Sequence, residues 1–213
     1  MSKEVVVVDY GIGNVFSVCN ALSLIGASPI LTGEPATIAK AERLILPGVG
    51  AFSKAMENLR SQGLDDAVAK FIDTGRPFLG ICIGMQVLME RSTEFGDHAG
   101  LGHIKGSVER IPTRTNTGNR VKVPHIAWAK INPNCHLSKK NAFALAYREE
   151  YFYFVHSYTC KPLSEDNLIA STSYHGTKIT AMVGRDNILG VQFHPERSGP
   201  VGLSFLTQFT SWS

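Results

Sequence analysis

Short apolar runs alternating with helix-spaced stretches constrain the fold of this chain more than any other feature. Residues 4–8, 43–46 and 77–81 are brief runs rich in Val, Ile and Leu, and 29–31 is a further short apolar run. Such runs suit strands buried on both faces. Between them, 15–25, 51–61, 64–74 and 83–90 carry apolar residues at helical spacing. Strand and helix in alternation predict βαβ units, hence an open, mostly parallel twisted sheet flanked by helices. From about Gly100 the pattern changes. "RIPTRTNTGNRVKVPH" predicts a hairpin with 121–123 as a strand, and "YFYFVHSYTC", "NLIASTSY" and "KITAMVGRDNILGVQFHPE" predict successive strands, the last stretch holding two. Val201, Phe205 and Phe209 then mark a final helix with Ser198 as its cap. The expected class is α/β with an antiparallel addition in the second half, and one domain over residues 1–213.

Charge and cysteine usage narrow the function classes. The net charge is +3 and the cations are scattered, which offers no face for nucleic acid or an anionic membrane. The four cysteines have no CxxC spacing, and a chain of 213 residues does not need disulfide staples. With no signal-like start and no long apolar stretch, a cytoplasmic protein is expected.

The first loop, "DYGIGN", poses a choice. Strand, Gly11, Gly13, helix and the later acid Glu34 suggest a dinucleotide fingerprint. The third glycine of that fingerprint is missing, and Phe16 in its place would push the helix off the sheet. A tight strand-to-helix turn is therefore favoured and no cofactor is expected. Asn14 is left as a helix cap or as something else.

A sharper signal is "PFLGICIGMQVL". Cys82 falls between a predicted strand and a predicted helix, with Gly80 and Gly84 on either side. This Gly-x-Cys-x-Gly pattern is that of a nucleophile elbow, where small neighbours permit a strained turn. The following helix start would favour a thiolate, and the Ile83 N–H would face an oxyanion. Cys19, Cys135 and Cys160 are read as small apolar residues.

A base is supplied by "LGVQFHPERSG". A strand over 189–193 ends at Pro195, and His194 and Glu196, two apart, face one side. If that strand runs parallel to the one before Cys82, all three meet at one sheet edge as a Cys–His–Glu triad. Of the seven histidines, His98, His103, His136 and His175 lie in polar, turn-like segments, while His125 and His156 have apolar neighbours. None has metal-site spacing, and no metal is expected. "LILPGVGAF" ends another strand in a loop whose Val49 or Gly50 N–H could give a second oxyanion bond.

Together "PGVGAF", "GICIGMQ" and "QFHPERSG" resemble the class I glutamine amidotransferases, in order and spacing along nearly the whole chain. "DYGIGN", "VPHIAW" and "YFVHSY" are further similar to the glutaminase subunits of imidazole glycerol phosphate synthases within that family. The resemblance implies a flavodoxin-like sheet and hydrolysis of L-glutamine through a Cys82 thioester. By the same token Gln86, Glu94, His156, Ser157 and Tyr158 would bind glutamine. Ammonia would pass to a (β/α)₈-barrel synthase subunit in a heterodimer that makes imidazole glycerol phosphate. Asn14, Trp128, Tyr153 and Arg197 would face that subunit.

Two positions depart from the pattern: Ala127-Trp128-Ala129 stands where the family commonly has Gly-Trp-Asn, and Arg197 where it has Lys. A stand-alone cysteine hydrolase of similar fold, or the glutaminase of another amidotransferase, is the competing reading.

Overall fold

The fold is described from a computed structural model, for residues 4–115, 117–134 and 142–212. Its first half is β1 (Glu4–Val8), α1 (Val15–Leu24), β2 (Ser28–Thr32), α2 (Pro35–Lys40), β3 (Leu44–Leu46), α3 (Phe52–Ser61), α4 (Leu64–Ile72), β4 (Phe78–Ile81) and the single turn α5 (Ile83–Gln86). Next come β5 (Met89–Ser92), β6 (His98–Ala99), β7 (Ile104–Arg110), β8 (His125–Lys130), β9 (Asn132–Pro133), α6 (Ala142–Ala146) and β10 (Tyr151–His156). The chain closes with β11 (Tyr158–Pro162), β12 (Leu168–Tyr174), β13 (Thr177–Arg185), β14 (Ile188–Val191) and α7 (Gly199–Thr210).

The main sheet has eight strands in the order β2-β1-β3-β4-β14-β13-β12-β9. The first five run parallel and the rest antiparallel. β3, β4 and β14 are buried at every position because helices cover both faces, which explains their unbroken apolar runs. α3 buries Phe52, Ala55, Met56 and Leu59, the i, i+3, i+4, i+7 stripe of its sequence. α4 follows a left-handed turn at Gly63, φ 66°, and buries Leu64, Val68 and Phe71. Two smaller sheets, β10-β8 and β11-β7-β5-β6, complete the fold.

Several expectations are corrected. The helix expected over 83–90 is one turn, after which the chain becomes β5 and pairs with β7. Every residue from Ile83 to Met89 is buried, so apolarity there carries no helical period. The hairpin before 125 reduces to one bridge between Arg114 and Arg120, and 121–123 is not a strand; Val121 instead packs with Ile111 and Ile179. The run 151–160 is split at Ser157 into β10 and β11, which join different sheets. Ser198 precedes α7, but its hydroxyl does not cap it: it donates to the His194 carbonyl and accepts from the Tyr153 N–H. Phe16 does not wedge α1 from the sheet. It points outward, 74% exposed, and α1 packs through Val15, Val18, Ala21 and Leu22. Cys135 and His136 lie outside the described residues. No helix among those described is long and apolar enough to cross a membrane.

Candidate active site

β4 and β14 are parallel neighbours, with Ile81 opposite Val191, so the residues after each strand emerge at the same edge. Cys82 N–H donates to the Val191 carbonyl at 2.8 Å and ties the two ends together. Cys82 then takes φ 55° and ψ −108°, a region that costs an ordinary residue about 1–3 kcal/mol. The flanking glycines permit it. A Cβ on Gly80 would collide with the Gly84 carbonyl, and one on Gly84 with the Leu46 carbonyl of β3.

His194 Nδ1 lies 2.8 Å from Glu196 Oε1, with the two side chains 4% and 1% exposed. Burial alone would lower the pKa of this imidazole. The Cys82 sulfur and the Glu196 carboxylate outweigh burial and push it up to about 10. His194 is thus held as an imidazolium at neutral pH. Its Nε2 has no hydrogen-bond partner of good geometry, yet the Cys82 sulfur is the neighbour that most favours the charged ring, a looseness usual in free enzymes.

A cavity of about 330 Å³ opens here. Val49, Gly50, Cys82, Ile83, Gln86, Glu94, His156, Ser157, Tyr158 and His194 all line it, and of the expected catalytic and pocket residues only Glu196 stands behind, against His194. Glu94 accepts the Phe52 N–H through Oε2 at 2.6 Å, so α3 steadies the carboxylate. His156 lines the cavity but has no ring nitrogen to offer a ligand. Its Nδ1 bonds the Tyr158 carbonyl at 2.8 Å and its Nε2 bonds His125 Nδ1 at 2.9 Å. Since a carbonyl only accepts, His156 donates through Nδ1, and His125 donates to it in turn. Burial pulls the pKa of His125 down to about 4 and that of His156 to about 3, and both rings are neutral.

The oxyanion donors are differently placed from expectation. The Ile83 N–H is occupied: it donates to the Gly48 carbonyl at 3.3 Å. A trans peptide points its C=O and N–H in opposite directions, so the Val49 N–H is turned away from Ile83. With four residues, α5 also has little dipole to offer the sulfur. Tyr10 anchors this loop by donating to the Pro47 carbonyl at 2.8 Å, and burial holds its phenol protonated. Any side chain on Gly48 would strike the Tyr10 hydroxyl and Ile83.

Beside the cavity, Arg197 stacks 4.6 Å above the Tyr153 ring, and Trp128 meets that ring edge-on at 6.0 Å. Trp128 is 52% exposed. Asn14 is exposed at the start of α1; its side chain accepts from Ser17 and makes no cap bond. Glu34 follows β2 and stands at the N-cap of α2, without a side-chain cap bond. Gln192 is a site residue that sequence reasoning passed over: its amide lies 3.6 Å from the Cys82 sulfur. Its signal was a polar residue in an apolar run, two positions before His194 and hence of the same facing.

The sequence profile of the family described as "Glutamine amidotransferase class-I" matches residues 6–211. The chain is a class I glutamine amidotransferase. This amidotransferase is 43% identical over 204 residues to the "Imidazole glycerol phosphate synthase subunit HisH" of Bacillus velezensis, spanning 96% of this chain and 94% of that protein. It is 44% identical over 206 residues to the protein of the same name from Bacillus subtilis, at the same coverage. Its fold overlays a chain from "Structure of PurLQS from Thermotoga maritima" with TM-score 0.72 at 20% identity, covering 99% of this amidotransferase and 98% of that chain.

Proposed function

We propose that this chain is the glutaminase subunit of an imidazole glycerol phosphate synthase, working as one domain in the cytoplasm with a (β/α)₈-barrel synthase subunit. One observation carries the proposal. Cys82, His194 and the pocket side chains line one cavity, with Glu196 bonded to His194 behind it, in a chain 43–44% identical to named HisH subunits along nearly its whole length. Those motifs disfavour a stand-alone hydrolase.

The Cys82 sulfur attacks the side-chain carbonyl carbon of glutamine. Imidazolium His194, oriented by Glu196, gives its proton to the leaving ammonia. Now neutral, His194 takes a proton from the water that attacks the thioester. The Ile83 N–H, with Val49 or Gly50, holds each tetrahedral oxyanion once the Gly48–Val49 peptide has turned. Each such donor is worth about 2.7–4 kcal/mol. Glu94 keeps its second oxygen for the substrate ammonium, and Gln86, Ser157 and Tyr158 line the rest. Trp128, Tyr153, Arg197 and Asn14 present the surface on which the synthase subunit docks and takes the ammonia. Arg197, stacked on Tyr153, substitutes a planar cation for the common lysine.

In the complex, Cys82→Ala abolishes glutamine-dependent formation of imidazole glycerol phosphate and leaves ammonia-dependent formation intact. Persistence of the glutamine-dependent reaction would refute the assignment.

A further inference from the structure

We infer that Gln192 is a further catalytic residue, whose side-chain amide donates to the Cys82 sulfur and stabilises it whenever it carries the negative charge. This rests on Cys82 being the nucleophile.

Gln192 follows β14 and is fully buried. A buried amide is tolerated only when its polar atoms are paired, and the pairing here is directional. The Gln86 Nε2 group donates twice, to the Tyr158 carbonyl at 3.3 Å and to Gln192 Oε1 at 3.0 Å. The Tyr158 carbonyl can only accept, which fixes the nitrogen end of Gln86 toward it. The oxygen of Gln192 must then face Gln86, and its nitrogen must face Cys82 Sγ, at 3.6 Å. The donor end is therefore imposed on the sulfur by a chain of bonds that begins in the pocket wall.

The donation acts twice in each turnover. Before attack it favours the thiolate beside imidazolium His194. Attack forms the S–C bond and a tetrahedral oxyanion, whose collapse breaks the C–N bond as His194 protonates the leaving ammonia; the sulfur has then lost its charge. On hydrolysis a water oxygen bonds the carbonyl carbon, its proton goes to His194, and the C–S electron pair returns to sulfur. Stabilising a thiolate lowers its intrinsic nucleophilicity only in part, with a Brønsted slope of about 0.4–0.5. As a leaving group it departs faster for the same stabilisation. A neutral amide does this without adding a third charge to the buried pair.

The test is iodoacetamide alkylation of Cys82 across pH in the full chain, followed by mass spectrometry, together with glutaminase kinetics in the complex. In Gln192→Leu, alkylation at pH 7 is expected to slow about 3-fold, a roughly tenfold loss of thiolate set against its higher intrinsic nucleophilicity, and its pH profile to move upward. The kcat for glutamine falls by about 10-fold or more, while KM changes little. Gln86→Leu, which frees the Gln192 amide to turn, shifts the alkylation profile in the same direction by less, and serves if the first variant does not fold. An unshifted profile in either folded variant overturns the role of Gln192. Cys82→Ala is run beside them: if it still hydrolyses glutamine, the nucleophile assignment itself fails, whatever the Gln192 variants do.

Discussion

The occupied Ile83 N–H predicts that Val49→Gly makes the free chain a faster glutaminase. Freeing the donor requires the Gly48–Val49 peptide to rotate by roughly 180°, which carries φ of Val49 from its present negative value to a positive one. Positive φ costs a non-glycine residue about 1–2 kcal/mol, and a β-branched one suffers most. Glycine removes that cost, and its extra chain entropy belongs to the unfolded state and cancels between the two folded orientations. Val49 is 38% exposed, so little packing is lost. The net is about 1 kcal/mol toward the turned state, or about 5-fold in glutamate release by the isolated chain at saturating glutamine. Val49→Pro is the counterpart. It lacks the N–H and clamps φ near −65°, so the complex should lose about 10²–10³-fold in glutaminase rate. If Val49→Gly is no faster and Val49→Pro keeps full activity in the complex, the peptide rotation is wrong.

Glu196→Gln leaves His194 hydrogen-bonded but without its buried carboxylate; glutamine-dependent turnover should fall by roughly 10³–10⁴-fold with folding preserved, read by activity and circular dichroism. The buried neutral pair His125 and His156 makes folding acid-sensitive. Their folded pKa values lie below the ordinary 6.5, so stability is fully present above about pH 6.5 and is lost as the pH falls toward 4. At pH 5 the loss is about 2 kcal/mol per histidine, visible as a lower urea midpoint. His194 has the opposite sign: its contribution is present below 6.5 and fades as the pH rises through about 10.

The parallel half of the sheet was legible because each element there is short, local and periodic. The meeting of Cys82, His194 and Glu196 at one sheet edge was legible too, since Gly80, Gly84 and the two-residue spacing of His194 and Glu196 are backbone constraints visible in the chain. What escaped was set by burial and by distant partners. From Ile83 to Met89 the chain is apolar throughout, and only pairing of Met89 with Ile104 decides that a strand begins there. The break at Ser157 depends on which sheet has room. His156 was expected to meet the substrate, but its nitrogens are claimed by His125, on the strand paired with its own, and by the Tyr158 backbone carbonyl, which side-chain spacing does not reveal. The Gly48 carbonyl on Ile83 is a choice between two peptide orientations of the same residues, on which a sequence is silent.

That peptide bears on nitrogen economy. An amide hydrolase running without an acceptor for its ammonia would drain glutamine from its surroundings and release a base. On the proposed mechanism, a single backbone carbonyl parked on the Ile83 N–H holds the free chain idle at rest. On that mechanism glutamine is spent once that one plane has turned.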